Sequence, residues 1–204
     1  MKSLNDYFDK IYCVNLKRSV ERWQACEQIF STHNLNVSRF DAVDGFELNL
    51  ENTNLLPGEY GCFMSHYNII KECKDEKYNR VLILEDDVEF HPNLTELFFK
   101  YQEQLPEWDM LYFGGNHTPM PPILVSDNIL KLRHTYTTHA YAVNSNSIDF
   151  IFSKMQNPSK QIDVIYAELQ RCLDVYCFYP ALAWQRDGYS YIHNTVVDYN
   201  FLRY

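Results

Sequence analysis

Val81-Leu82-Ile83-Leu84-Glu85-Asp86-Asp87-Val88-Glu89-Phe90 is the stretch on which the reading of this chain turns. Four consecutive apolar residues, two of them β-branched, predict a short strand buried on both faces. Three carboxylates follow at once. Charge leaving water without a partner is costly, so a deep strand that ends in three negative charges calls for compensation. A divalent cation supplies it: hard oxygen ligands suit Mg²⁺ or Mn²⁺, which complete their shells with substrate phosphates. In open α/β sheets ligands sit beyond the carboxyl ends of the strands, where these acids fall. The alternative is a solvated turn or a helix N-terminus ahead of Pro92.

Working outward, Ile11–Leu16 predicts a first strand, and Lys17-Arg18-Ser19 leads into a helix with Val20, Trp23, Cys26 and Phe30 on one face. Arg18 and Arg22 lie four apart and share a helix face just past a strand end, a place suited to an anion. Val37–Phe40 predicts a second strand, running into Asp41-Ala42-Val43-Asp44-Gly45. Gly45 suggests a turn with positive φ, and Asp41 and Asp44 either cap that turn or hold ribose hydroxyls. Pro57 suits the first turn of a helix carrying Phe63, Met64, Tyr67 and Ile70. On it, Gly61 and Ser65 are small and four apart, so a backbone or ligand can approach; His66 is adjacent. Beyond the acids come a helix over Leu94–Tyr101, a strand over Trp108–Phe113, and an irregular, proline-rich loop or hairpin edge from Asn116 to Asn128. A strand over Thr138–Val143, a helix capped by Ser145, a helix opened by Asp163 with Ile165, Leu169 and Cys172 inward, and a strand over Val175–Tyr179 complete the alternation. That alternation predicts an α/β fold with a mainly parallel sheet.

The bulk numbers narrow the classes. The 204 residues suffice for one domain with a sizeable core. A net charge of -9 argues against nucleic acid and against anionic membrane surfaces, so attraction for a phosphate must be local. No apolar run approaches the roughly 18 residues of a transmembrane segment, and the opening residues are too polar for a signal peptide; the expectation is a cytoplasmic protein. The six cysteines form no Cys-x-x-Cys pair and are read as reduced, buried thiols.

Taken together, Tyr12–Arg18 with Arg22, Phe40–Gly45, Gly58–His66 and Leu82–Val88 resemble glycosyltransferase family 25, the family of lipooligosaccharide and procollagen galactosyltransferases. Trp108-Asp109, His139-Ala140-Tyr141, Asp163, Pro180, Gln185 and Gly188-Tyr189-Ser190 extend the resemblance over nearly the whole chain. It implies a single GT-A (Rossmann-like) domain over residues 1–204, with a mixed, mainly parallel central sheet flanked by helices. It also implies a UDP-sugar donor, most often UDP-galactose, Mn²⁺ (or Mg²⁺), and inversion at the anomeric carbon. The acceptor would be a saccharide or a hydroxylated peptide side chain. On this resemblance Asn15, Arg18, Arg22, Asp41, Asp44, Ser65, His66, Glu85 and Asp86 face the donor, Asp87 is the main metal ligand, and Asp163 is the general base; the competing reading of Asp163 is a helix N-cap. Where many members have Ser-Asp, this chain reads Ser190-Tyr191, so Asp187 and His193 are the candidates for a late metal ligand. That departure also supports a second reading, a degenerate member that binds nucleotides or glycans without turnover. A third, a nucleotidyltransferase or phosphohydrolase using the same acids, is disfavoured by the lack of a Walker-type phosphate loop.

Overall fold

The architecture is taken from a computed structural model, which describes residues 2–50, 53–118, 120–190 and 195–197. The described elements run, in chain order, α1 (Leu4–Tyr7), β1 (Lys10–Asn15), α2 (Val20–Thr32), β2 (Ser38–Asp41), α3 (Pro57–Glu76), β3 (Arg80–Glu85), β4 (Val88–Phe90), α4 (Leu94–Tyr101), β5 (Met110–Tyr112), β6 (Ile123–Ser126), β7 (Ile129–Lys131), β8 (Ala140–Asn144), α5 (Ser145–Lys154), α6 (Ile162–Leu169), β9 (Val175–Phe178), β10 (Ala183–Gln185), β11 (Gly188–Ser190) and β12 (Thr195–Val197). Eight of these strands form one sheet in the order β2-β1-β3-β8-β5-β9-β7-β6. β8 lies antiparallel between β3 and β5, and β7 is antiparallel to β9 and β6; the other six strands share one direction. The sheet is therefore mixed and mainly parallel, as expected.

β3 shows why. Val81, Leu82, Ile83 and Leu84 are all 0% exposed. Successive strand side chains point to opposite faces, and here Leu82 and Leu84 join one apolar cluster while Val81 and Ile83 join another. The first cluster takes in Phe8, Cys26, Phe30, Leu94 and Phe98 from α2, α4 and the N-terminal segment. The second takes in Phe63, Ile70, Ile151, Ile165 and Tyr166 from α3, α5 and α6. Helices thus cover both faces, and the polar residues of β1 and β3 are pushed to the strand ends.

Several local expectations change. Val20 is 52% exposed, while the rest of the expected face holds: Trp23 packs against the core and Cys26 and Phe30 are buried. Asn144, not Ser145, occupies the N-cap position of α5. Of the two forms expected for the proline-rich segment, the hairpin edge is the one formed: β6 and β7 pair, with Ile123, Leu124 and Val125 exposed on the edge strand. Cys172 lies beyond α6 and is exposed; among the six free thiols Cys13, Cys26, Cys73 and Cys177 are buried and Cys62 is intermediate. Gly45 is not in a positive-φ turn. It is needed for space: a Cβ there would collide with the Pro57 carbonyl.

Gly61 has the same logic and yields a test. A Cβ on Gly61 would sit 2.5 Å from Val43 O and 2.8 Å from Gly45 N, both backbone atoms. Alanine normally favours a helix interior over glycine by about 1 kcal/mol, while overpacking costs about 1–3 kcal/mol or more. Backbone cannot swing aside as a flexible side chain can, so crowding wins. Gly61→Ala is expected to lower the melting temperature by about 2 °C or more; a rise, read by thermal denaturation, would refute the close packing of α3 on the Val43–Gly45 segment.

Candidate active site

The carboxyl ends of β1 and β3, the 42–46 segment, the first two turns of α3, the 136–138 segment and the start of α6 enclose a cleft of about 700 Å³. Asn15, Arg18, Arg22, Asp44, Ser65, His66, Glu85, Asp86, Asp87 and Asp163 all line it. Residues separated by up to 148 positions in sequence are thus gathered at one place. Asp41 is exposed, beside Lys17 at 3.1 Å, and does not line the cleft; nor does Asp187, which is exposed. His193 and Tyr191 lie outside the described residues.

β3 ends at Glu85, and Asp86-Asp87 form the tight turn into β4, which pairs with β10. This turn is pinned from several sides. Arg186 N donates to Asp87 O at 2.7 Å, the Arg186 guanidinium to Asp86 O at 3.3 Å, and the Cys26 thiol to the same carbonyl at 3.2 Å. The Asn15 amide, 1% exposed, donates to Asp86 Oδ2 at 2.6 Å and to Ser19 O at 3.2 Å. Arg22 reaches Asp86 at 2.5 Å and Asp87 at 3.2 Å. The Asn15 side-chain NH₂ group and Asp86 thereby fasten β1 to the acidic turn. Ser65 acts likewise: its hydroxyl accepts from Val43 N at 2.9 Å and donates to Gly61 O at 2.6 Å. Arg18 pairs with Asp44, which also caps the following 3₁₀ turn through Phe46 N.

Asp87 is different. Its Oδ1 is buried with no hydrogen-bond partner. Burial, with Glu85 and Asp86 alongside, pushes its carboxyl up to about 7 against the opposing pull of Arg22 and Arg186. Burial also raises Asp86, with Arg22 opposing. For Glu85 burial pushes upward too, but His66, Thr138 and His139 outweigh it and hold the carboxyl below the usual carboxylate range; Thr138 Oγ1 donates to Glu85 Oε1 at 2.6 Å. A hard divalent cation fits here: an orphaned carboxylate oxygen and a surplus of negative charge are what it would satisfy.

Asp163 is the second residue of α6, whose N-cap position is held by Gln161, so it is not itself the N-cap. Its Oδ1 accepts from Val164 N at 2.8 Å, and Thr137 N–H donates to it as well. Burial raises its carboxyl above the ordinary value despite these donors. Thr137 has φ 75°, a left-handed conformation that is costly for a β-branched residue, and its buried hydroxyl has no partner. Strain of this kind concentrates at working sites. Sequence reading missed Thr137, Thr138, Arg186 and Gln185, all polar residues of loops and short strands whose place depends on long-range pairing. It also read Cys62, which lines the cleft, as an inert core thiol.

The cleft's charge decides what it can take unaided. Among the described residues its lining holds six carboxylates (Asp44, Glu59, Glu85, Asp86, Asp87, Asp163) against two arginines (Arg18, Arg22). Both arginines already face carboxylates. A bare diphosphate would be repelled.

Sequence comparison assigns the class. The description "Glycosyltransferase family 25 (LPS biosynthesis protein)" matches residues 8–157, and the chain belongs to glycosyltransferase family 25. Among its relatives, a Glycosyltransferase 25 family member of Drosophila melanogaster is 31% identical over 160 residues, covering 67% of this chain and 26% of that protein. Procollagen galactosyltransferase 2 of Homo sapiens is 26% identical over 190 residues, covering 78% of this chain and 30% of that protein. The match thus spans between a quarter and a third of the length of these relatives. Among solved structures, a glycosyltransferase involved in the glycosylation of the major capsid of PBCV-1 superposes with a TM-score of 0.45 and 12% identity, covering 78% of this chain and 73% of that one. Among the described residues no helix is long and apolar enough to cross a membrane.

Proposed function

We propose that this chain, acting as one catalytic unit, moves a hexose, galactose or glucose, from a UDP-sugar to a saccharide or a hydroxylated side chain, with inversion and with Mn²⁺ as cofactor. The observation that carries the reading is the charge imbalance of the cleft: six carboxylates surround a site that must accept a diphosphate, which a divalent cation on Asp87 would reconcile. Names of relatives such as procollagen galactosyltransferase 2 favour galactose as the donor sugar and a hydroxylated side chain as one acceptor class.

In this mechanism Asp87, with its unpartnered Oδ1, would hold the cation, and Asn15, Arg22 and Arg186 keep the acidic turn in place. Bound there, Mn²⁺ supplies Lewis-acid stabilisation of the departing diphosphate. Arg18 and Arg22 sit beside the first turn of α2, where side-chain charge and helix amides together favour an anion. Asp163 takes the proton from the acceptor hydroxyl. A carboxyl raised by burial is better matched to that task than an ordinary one.

The test is a screen of UDP-sugars for release of UDP, with Mn²⁺ and with chelator. Metal-dependent UDP release from one or two donors is the expected result. Equal release in chelator, or release of pyrophosphate or inorganic phosphate in place of UDP, would overturn the reading; metal-dependent UDP binding without any turnover would favour the degenerate alternative.

A further inference from the structure

Cys62 and His66 lie four residues apart on α3 and so project from one face of it. Glu85 comes from the end of β3 opposite. One donor atom from each of these three residues lies within 4.8 Å of the other two. His66 is 0% exposed, yet its Nε2 has no hydrogen-bond partner. Glu85 Oε1 stands 3.4 Å away, without the geometry of a hydrogen bond.

The tautomer of His66 follows from its other side. Tyr166 Oη donates to Met155 Sδ at 3.8 Å, and a thioether can only accept. Tyr166 Oη in turn takes the hydroxyl proton of Tyr141, 3.2 Å away. Tyr141 Oη is then the acceptor for His66 Nδ1 at 2.8 Å. Nδ1 therefore carries a proton, and Nε2, buried without a hydrogen-bond partner, faces Glu85 and Cys62. A polar ring nitrogen left unsatisfied in a buried place is costly. A metal-binding histidine is commonly set in this way, its second nitrogen donating to a fixed acceptor.

We propose that Cys62, His66 and Glu85 form a binding site for Zn²⁺, separate from the oxygen site at Asp87. The donor set decides the ion: thiolate, imidazole and carboxylate suit Zn²⁺, whereas Mn²⁺ and Mg²⁺ prefer oxygen alone. Three protein ligands would leave a fourth position to water or substrate, and all three residues line the cleft. On binding, the Cys62 S–H bond is exchanged for a bond from sulfur to the metal, and one proton passes to the solvent. The inference does not depend on the transferase reading, and it stands or falls by metal binding rather than turnover.

The test uses the full chain stripped with chelator. Titrated Co²⁺ should bind with a near-ultraviolet sulfur-to-cobalt charge-transfer absorption. Zn²⁺, read by competition with a chromophoric chelator, should bind at one equivalent and bleach that absorption. Cys62→Ser should remove the absorption and weaken Zn²⁺ by about tenfold or more, and His66→Gln should weaken it comparably. Asp87→Asn should keep the absorption. A second measurement needs no variant: Zn²⁺ should protect Cys62 from alkylation, mapped by mass spectrometry, while exposed Cys172 reacts as before. A cobalt complex without sulfur absorption, unchanged Zn²⁺ affinity in a folded Cys62→Ser protein, or equal alkylation of Cys62 with and without Zn²⁺ would overturn the site.

Discussion

Asp87→Asn is expected to cut Mn²⁺-dependent turnover of the UDP-sugar by about 10²–10³-fold, while making the metal-free protein more stable at pH 8. The two halves come from one cause. Asp87 is held where its charge is poorly tolerated: buried, beside Glu85 and Asp86, and pushed from an ordinary 3.8 up to about 7. For an acid raised on folding, the unfolded chain gives up its proton first. The stability this group allows is therefore fully present below about pH 4 and lost as the pH climbs to about 7. Above that window the charged carboxylate is a net burden that a cation would relieve. Asparagine keeps the shape and never ionises, and Arg22 retains Asp86 at 2.5 Å. In chelator at pH 8 the variant should melt about 3 °C or more above wild type, with the gap closing near pH 4. Added Mn²⁺ should raise the melting temperature of wild type and not of the variant. A variant that is both inactive and less stable in chelator at pH 8 would mean that Asp87 is structural.

How far this site could be read from sequence depends on where each residue gets its position. Val81–Leu84 and the acids after it were legible because a run of four apolar residues leaves β3 no solvated face, and its end must then carry the polar groups. Arg18, Arg22, Asp44 and Asp163 were legible as charges next to element boundaries. Asp41 stays out of the cleft for a physical reason: it sits at the end of β2, on the outer edge of the sheet, so it meets Lys17 and solvent. Thr137 and Thr138 gave no signal, since their role follows from β8 entering the sheet antiparallel between β3 and β5, a pairing over more than fifty residues. Gly45 and Gly61 were legible as small residues but not in their purpose; they touch each other's backbone across two elements. Cys62 reads in sequence like any apolar-flanked thiol, and only the register of α3 against β3 brings it to Glu85.

Asp163→Asn is expected to lower kcat by about 10²-fold or more with little change in the donor KM. The carboxylate stands on the second residue of α6, fixed by N–H groups of Val164 and Thr137. Asparagine keeps an oxygen that can accept from Val164 N, so the start of α6 retains that bond. Stability points the same way. Asp163 is another acid raised by burial, so its charged form costs stability as the pH rises past the ordinary carboxylate range, and the asparagine variant should be at least as stable as wild type at pH 7–8. Lost turnover thus could not be ascribed to unfolding. The pH profile separates a base from a spectator. With Mn²⁺ saturating, kcat/KM of wild type should rise with pH through a limb lying above the ordinary carboxylate value of 3.8 and be lost as Asp163 takes up its proton; the residual activity of the variant should lack that limb. Wild-type kcat in Asp163→Asn, or the same acid limb in both proteins, would remove Asp163 as the base and direct attention to the other carboxylates of the cleft.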